Sequence, residues 1–282
     1  MARFVAEKLA SLAIVLFGAS VVIFLVMRAL PGDPAIGMLT INATPEMIRE
    51  MRATMGLERP LPEQYFLWAT AVLTGDFGRS FFFADDVKRL VADRFPVTLH
   101  VAISSLVIAL LIAVPAAVVA ATRQGRLADH LCRLIALAGV SMPVFWQGLL
   151  MILAFAVTLG WLPAGGYVWP GEGLASSMAH VLMPAIVLGT AYAATIARML
   201  RASMLDVLGR DYIAVARALG VPERTVIWND ALRNATIPTL TAAGFSFGYL
   251  LAGAVLTVVI FNLPGMWRLL YECIVARDSP LE

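Results

Sequence analysis

The 282-residue sequence has few charges and almost no lysine. Only 14% of its residues are charged, and the two lysines are Lys8 and Lys88. Neither lysine follows a glycine, so the chain lacks the Gly-Lys-Ser/Thr loop that binds nucleotide phosphates, and it also lacks a His-Glu-x-x-His zinc motif. Cys132 and Cys273 are expected near opposite faces of a membrane, which excludes a disulfide between them.

The three histidines do not form a metal-ligand pattern. His100, His130 and His180 are far apart in the sequence, and we interpret each as a hydrogen-bonded or interfacial side chain. No acidic residue or lysine falls within the membrane spans predicted below, whereas a proton-coupled carrier needs ionisable groups there. The sequence therefore predicts no catalytic residue, no metal site and no cofactor in this chain.

Long uncharged runs dominate the sequence. Hydrophobic residues make up 60% of the chain and the mean hydropathy is +0.83, which is typical of membrane proteins. A membrane-spanning helix needs about 20 such residues. The runs are Leu9–Met27, Phe95–Thr122, Leu134–Gly171, Gly173–Ala197 and Asn234–Trp267. They predict an all-α, polytopic membrane bundle with spans at roughly 9–29, 97–121, 134–159, 181–200 and 236–260.

The basic residues of the short loops predict the orientation. The first apolar run is longer than the core of about 7–15 residues in a signal peptide, so we expect it to stay as a membrane anchor. Arginine and lysine of short loops remain in the cytoplasm, which places the N-terminus inside. The residues then on the cytoplasmic side are Arg3, Lys8, Arg123, Arg126, Arg133, Arg198, Arg201, Arg210, Arg217, Arg224 and Arg233.

The long outer segment, residues 31–96, carries helix signals of its own. Thr44 can cap a helix that begins at Pro45 and ends at Gly56. A second helix is predicted over Pro62–Leu73 and a third after Asp85. The apolar faces would carry Met47, Met51 and Met55 in the first helix and Val87, Leu90 and Val91 in the third. Two interpretations stay open: the helices rest on the bilayer or on the spans, or they form a rim that receives an external binding protein.

Prolines and glycines also occur inside the predicted spans. Pro115, Pro143 and Pro184 are expected to interrupt helical hydrogen bonding. Gly244, Gly248 and Gly253 are expected to allow close helix approach, either within the bundle or toward a pathway or partner subunit.

A charged, helix-forming segment precedes the last uncharged run. Gly220 follows one helix pattern and Pro222 lies just inside the next, which predicts two helices joined by a sharp turn. Arginines alternate here with acidic residues, as on a folded, exposed surface. Residues 201–235 resemble the cytoplasmic loop by which membrane subunits of ABC importers dock onto their ATPases. The match is best to the dipeptide, oligopeptide and nickel permease family.

The resemblance covers nearly the whole chain and is closest to the first-type, B-like permease subunits. The matching stretches are LPGDPA at Leu30–Ala35, GDFGRS at Gly75–Ser80, RFPVTL at Arg94–Leu99, SMPVF at Ser141–Phe145, LGWLPAGG at Leu159–Gly166, MPAIVLG at Met183–Gly189, ARMLRASMLDVL at Ala197–Leu208 and FNLPGMWRLLYECIVARDSP at Phe261–Pro280. They occur in the order that the family shows.

The resemblance implies that the chain forms half of the translocation pathway of an ATP-driven importer in the bacterial inner membrane. The cargo would be peptides or similar small solutes. The implied partners are a second homologous permease subunit, two cytoplasmic ATPase subunits, a periplasmic solute-binding protein and the bilayer, with no nucleic acid. ATP and magnesium would be bound by the ATPases, which makes this chain a transport subunit and not an enzyme.

The same resemblance assigns an ATPase-docking surface. Its expected members are Asp211, Tyr212, Ala214, Ala216, Arg217, Ala218, Gly220, Pro222 and Arg224. The two arginines Arg217 and Arg224 would pair with acidic groups of the ATPase, while the three alanines would keep the contact face narrow. Where the general importer loop reads Glu-Ala-Ala, residues 214–216 of this chain read Ala-Val-Ala.

The predicted organisation has three parts. Residues 1–30 form the cytoplasmic end and span one, residues 31–96 form the periplasmic helical segment, and residues 97–282 form the permease core with the docking loop at 201–235. The family continues with a sixth span, so we expect five spans here with the sixth missing. Cargo identity, whether dipeptide, oligopeptide, glutathione or a metal chelate, is left open.

Other classes of protein are less consistent with the sequence. A secondary carrier or channel would need ionisable groups or internal symmetry in the spans. An intramembrane enzyme would need a nucleophile with its base, or two carboxylates, at that depth. A shortened, inactive permease is a further alternative.

Overall fold

The computed structural model of the chain describes residues 2–29, 44–54, 56–80, 82–252 and 255–276. Its helices are α1 (Ala2–Ala29), α2 (Pro45–Thr54), α3 (Leu61–Thr74), α4 (Val87–Thr122), α5 (Leu127–Ser141), α6 (Val144–Met151) with a π-helical continuation (Ile152–Thr158), α7 (Leu174–Leu208), α8 (Asp211–Ala218), α9 (Glu223–Thr225) with a π-helical continuation (Val226–Leu232), α10 (Arg233–Ala252), α11 (Val255–Ile260) and α12 (Met266–Ala276). Within these residues the β-structure is one isolated bridge, between Arg79 and Asp86.

Four stretches of the described helices are long and apolar enough to cross a membrane. They are Arg3–Val26, Val87–Thr122, Leu174–Leu208 and Glu223–Ala252, and Val144–Thr158 is a shorter apolar helix. Many of their large apolar side chains are exposed, as expected where lipid or another subunit replaces water. The prediction of an all-α, polytopic membrane bundle is confirmed.

The third predicted span, residues 134–159, is not one continuous helix, and the interruption predicted at Pro143 is confirmed. The chain forms α5 and then α6, and the helix is interrupted at Met142 and Pro143. Pro143 has φ −58° and ψ 131°, an extended conformation that starts the second helix instead of continuing the first. The proline has no backbone N–H to donate to the preceding turn, which explains the position of the break.

The other two prolines have a smaller effect than predicted. Pro115 lies inside α4 and Pro184 inside α7, and both helices continue through them. The predicted third outer helix is also not separate. It is the first part of α4, so the predicted boundary between residues 96 and 97 falls inside this helix. The three-part division itself stays a prediction.

Close helix approach occurs at different glycines from those predicted. Outside its chain neighbours and the nearby backbone of α10, a Cβ on Gly244 or Gly248 would meet no described atom within 4 Å, whereas Gly253 lies outside the described residues. A Cβ on Gly189 of α7 would lie 2.8 Å from the Ser105 carbonyl oxygen of α4. The packing of α7 on α4 therefore requires a glycine at position 189, and the predicted packing role of Gly244 and Gly248 within this chain is wrong.

One compact unit comprises residues 1–93 and 269–282. Here α3 contacts α1 through aromatic rings, with the Phe24 and Tyr65 centroids 5.4 Å apart, and through a 2.8 Å hydrogen bond between the Ser20 and Tyr65 hydroxyls. Thr44 Oγ1 accepts a hydrogen bond from the Met47 N–H at 3.3 Å, which confirms the predicted cap. Gly56 has φ +66° and ends α2 as predicted; Met55 lies outside the described residues.

The other compact unit comprises residues 94–268 and is organised around α7. This helix packs against α5, α6, α10 and α11. The largest buried cluster includes Met183 and Val187 of α7 together with Phe261 and Leu263, which follow α11. A second cluster joins Ala117 of α4, Leu200 and Met204 of α7 and the residues that lead into α10. The helices on either side of the predicted docking loop thus belong to one packed core.

Candidate functional site

The predicted docking segment is a short helical hairpin between two long helices. Gly209 and Arg210 alone separate α7 from α8, and four residues, 219–222, separate α8 from α9. The second arm continues without interruption from α9 through the π-helical stretch into α10. We call α8, the turn and α9 the hairpin. Only short links therefore connect the hairpin to α7 and to α10.

Gly220 forms the turn of the hairpin as predicted. Its φ is +80°, the left-handed region that residues with a Cβ rarely adopt. The N–H of Gly220 donates to the Arg217 carbonyl at 3.0 Å, and the N–H of Val221 donates to the Ala216 carbonyl at 3.1 Å. These two bonds form a Schellman motif, which satisfies the free carbonyls at the end of α8. Apart from the two chain neighbours, no atom of the described residues lies within 4 Å of the position of a Cβ on Gly220, so the constraint is conformational.

The two arms are held together by an ion pair. Arg217 donates from Nη2 to Glu223 Oε1 at 2.7 Å and from Nε to Oε2 at 3.1 Å, a bidentate geometry. The Glu223 carboxylate raises the pKa of Arg217. Both side chains are about half exposed, so the net contribution to stability is about 0–1 kcal/mol. Pro222, with φ −57°, is the N-cap residue of α9. It therefore lies one position before the helix, whereas the prediction placed it just inside.

Buried side chains fix the hairpin on the rest of its unit. Ile213 of α8 and Val226, just after α9, have no exposed surface, and α8 packs against the π-helical stretch Val226–Leu232. Asn234 Nδ2 donates to the Tyr212 hydroxyl at 3.2 Å and to the Asp230 carbonyl at 2.8 Å. Sequence reasoning missed Ile213 and Val226, although apolar residues within a charged segment are a usable signal for anchors of this kind.

The outer surface of the hairpin combines small, charged and large apolar side chains. Asp211, Ala214, Ala218 and Arg224 are exposed, whereas Ala216 is half-buried because it lies on the other side of α8. Ala216 is therefore less accessible than Ala214 and Ala218, and the contact face of the three alanines stays a prediction. The exposed apolar residues, which the sequence prediction did not include, are Val215 (56% exposed) and Leu219 (78%) of the hairpin and Trp228 (48%) of the π-helical stretch that follows α9. Such a mixture is typical of a protein-binding surface.

A buried ion pair lies in the same compact unit as the hairpin. Arg201 of α7 donates from Nε to Asp129 Oδ1 at 2.9 Å and from Nη2 to Oδ2 at 2.8 Å. The Gly125 N–H also donates to Oδ2, at 3.0 Å, and Arg133 Nε lies 3.4 Å from Oδ1. Asp129 has no exposed surface. The hydrogen bonds from Arg201 hold the pKa of the Asp129 carboxyl below its usual value of 3.8, so this carboxylate ties α5 to α7 in its charged form.

The histidines and cysteines are not gathered into one site. His100 Nδ1 is 2.9 Å from the Tyr167 hydroxyl, His130 Nδ1 is 3.1 Å from Arg133 Nη2, and His180 Nδ1 is 2.8 Å from the Ser176 carbonyl. Each histidine thus has a hydrogen-bond partner, as predicted. Both cysteines are free thiols. In the described part of the chain no three His, Cys, Asp or Glu residues are placed to hold a metal ion.

Comparison with protein families gives two matches that together cover all but residues 103–112. Residues 113–282 match the family described as "Binding-protein-dependent transport system inner membrane component". Residues 1–102 match the corresponding N-terminal family, "Binding-prot-dependent transport system membrane comp, N-term". The hairpin therefore falls within the first of these matches.

Individual relatives match over the same extent. The chain is 37% identical over 281 residues to a "Probable peptide ABC transporter permease protein" from Sinorhizobium fredii, covering 100% of this chain and 90% of that protein. It is 40% identical over 281 residues to the "Glutathione transport system permease protein" of Escherichia coli, for example in strain K12, covering 100% of this chain and 89% of the relative.

Proposed function

The chain belongs to the family of binding-protein-dependent transport system inner membrane components, and we propose that it transmits ATP-driven motion from cytoplasmic ATPase subunits through the hairpin. As a member of this family it is a permease subunit of an ABC importer in the inner membrane. The observation that carries the proposal is geometric. The hairpin presents an exposed mixed surface while joining α7 and α10, two helices long enough to span the membrane.

The proposed docking residues are those predicted from the sequence except Arg217, with Val215, Leu219 and Trp228 added. The exposed apolar residues would enter a groove of the ATPase, and Arg224 would face its acidic groups. Arg224 forms no ion pair within the described residues, so its charge is available to a partner. Arg217 has a different role in this proposal: it holds the two arms of the hairpin in register through Glu223.

The other subunits of the importer are proposed on the basis of the same family membership. The second pathway half would be a homologous permease, and a periplasmic binding protein would deliver the cargo. ATP and magnesium would be held by the two ATPases, and the N-terminus would lie in the cytoplasm. We propose peptides as the cargo class, glutathione-like tripeptides included, because the relatives at 37% and 40% identity carry peptide and glutathione transport in their names.

The decisive perturbation is Gly220→Val. A valine at φ +80° costs about 1–2 kcal/mol in the backbone of the turn, and it meets no neighbour, so the damage is confined to the hairpin. We expect normal membrane levels and unchanged topology, but loss of the copurifying ATPases and of ATP-driven uptake. The matched control is Gly209→Ala at the end of α7, where φ is −84° and alanine fits.

The measurement is copurification of the ATPases with the tagged chain, paired with uptake in vesicles at saturating ATP. Gly209→Ala should match the unmutated protein in both. Wild-type recovery of the ATPases together with a wild-type uptake rate in the Gly220→Val variant would refute docking through the hairpin. Loss of uptake with normal recovery of the ATPases would refute a role of the turn in docking and would support transmission of the motion through the hairpin.

A further inference from the structure

A small pocket lies between α4, α5 and α7, and no residue of the hairpin lines it. Its volume is about 260 Å³, including space open to solvent. Alanines of α4 and α7 line it, among them Ala117, Ala120 and Ala197, and Cys132 of α5 contributes its side chain. Ala117 and Ala120 are 1% and 2% exposed, so the inner wall of the pocket is apolar and closely packed.

Three arginines line the same pocket. Arg133 comes from α5, and Arg198 and Arg201 come from α7. The only carboxylate in contact with them among the described residues is that of Asp129, which is buried and held by Arg201, Arg133 and the Gly125 N–H. Three positive charges and one negative charge leave a net charge of about +2 at neutral pH. The pocket is therefore built for an anion.

Arg198 is the arginine that is available to a ligand. Its side chain is exposed and donates a 3.4 Å hydrogen bond to the Thr195 hydroxyl. Among the described residues, no carboxylate lies within ion-pair distance of it. Arg133 is half exposed and lies at 3.4 Å from Asp129, so it too can turn toward a ligand. Arg201, by contrast, is held in place by its two hydrogen bonds to Asp129 and contributes a fixed positive charge to the lining of the pocket.

The position of the pocket along the helices indicates the kind of anion. It lies where the uncharged run of α4 ends before Arg123 and where that of α7 ends at Arg198, the level at which an apolar bilayer core gives way to headgroups. On α5, Leu134 and Ile135 follow the pocket residues and are 65% and 68% exposed. An apolar wall with arginines at its polar end has the chemistry of an anionic amphiphile.

We propose that this pocket binds an anionic phospholipid of the adjacent leaflet, with the phosphate between Arg133 and Arg198 and the start of an acyl chain against the alanines. Arginine suits this role because its planar donors match phosphate oxygens. The bound lipid would fill the space between α5 and α7 beside the Asp129–Arg201 ion pair. This site is independent of the hairpin surface, so either can fail without the other.

Cys132 offers a direct probe of occupancy because it lines the pocket and is partly exposed, whereas Cys273 is buried. The assembled importer is purified in detergent, stripped of lipid, and supplied with phosphatidylglycerol, phosphatidylcholine or inorganic phosphate. The alkylation rate of Cys132 by N-ethylmaleimide is then read by peptide mass spectrometry. We expect phosphatidylglycerol to slow alkylation about tenfold, and phosphatidylcholine and phosphate to change it less than about twofold.

The variant Arg198→Gln should abolish most of the protection by phosphatidylglycerol, and Arg89→Gln, a matched loss of one exposed arginine outside both the pocket and the hairpin, should retain it. Recovery of bound phosphatidylglycerol by native mass spectrometry should follow the same order. Equal protection by both lipids, protection by inorganic phosphate alone, or undiminished protection in Arg198→Gln would each overturn the proposal. So would a Cys132 that is already shielded in the lipid-free assembly, because the second permease would then occupy the pocket.

Discussion

Replacement of Asp129 by asparagine tests the buried ion pair between α5 and α7. The substitution keeps the size of the side chain and removes its charge, so Arg201 loses both charged hydrogen bonds of 2.8 and 2.9 Å. The N–H of Gly125 still has an oxygen acceptor within reach. The change therefore isolates the electrostatic part of the contact between the two helices.

The expected loss of stability is substantial. Removal of one partner from a buried ion pair destabilises a protein by about 3–5 kcal/mol when the other charge stays buried. Arg201 is 20% exposed on its side chain and can regain some water, which brings our expectation to about 2–3 kcal/mol. Asp206→Asn serves as the control, since Asp206 is an exposed carboxylate on the same helix.

Equilibrium unfolding in detergent micelles measures this loss, and a double-mutant cycle with Arg201→Gln assigns it to the pair. The coupling should be positive and similar in size to the loss in Asp129→Asn alone, because each single variant leaves the other group without its charged partner. An Asp129→Asn variant as stable as the unmutated chain, or a coupling near zero, would refute the reasoning.

The pH dependence gives a second, independent reading of the same ion pair. Arg201 holds the pKa of Asp129 below 3.8 in the folded chain, so the stabilisation is complete above that value and is lost as pH falls through the folded pKa. The stability difference between the unmutated chain and Asp129→Asn should therefore be constant near neutral pH and shrink below about pH 4. A difference that persists unchanged in strong acid would mean that the carboxylate charge is not its source.

Features with a local cause were predictable from the sequence. The left-handed turn at Gly220 and the capped start of α2 at Thr44 depend on a few neighbouring residues, and the structure shows both. The all-α bundle was predictable for a similar reason, because uncharged runs of sufficient length can satisfy their backbone only as helices in lipid. The resemblance of residues 201–235 to a docking loop directed attention to the hairpin.

Features that depend on the meeting of distant segments were not predicted. Asp129 and Arg201 are 72 residues apart, and the arginine was interpreted only as a marker of orientation. A clue was present, since Asp129 is the only acidic residue between Arg94 and Gly171 and so had to find a cation nearby. The identity of the crossing glycine could not be read from spacing, because Gly189 and Gly244 differ only in what faces them.

Two further predictions concern helix packing and the hairpin. Gly189→Ala should lower the unfolding free energy in detergent by about 1–3 kcal/mol, because the added Cβ would lie 2.8 Å from the Ser105 carbonyl oxygen. Gly248→Ala, the control, should be neutral. Equal stability of the two variants would contradict the packing of α7 on α4. Arg217→Glu and Glu223→Arg should each weaken ATPase copurification, because each places two like charges where the Arg217–Glu223 ion pair joins the arms of the hairpin. The effect should be larger at low salt, where screening is weaker. The exchanged double variant should restore copurification, because the pair acts within the hairpin; its failure to do so would mean that Arg217 contacts the ATPase directly.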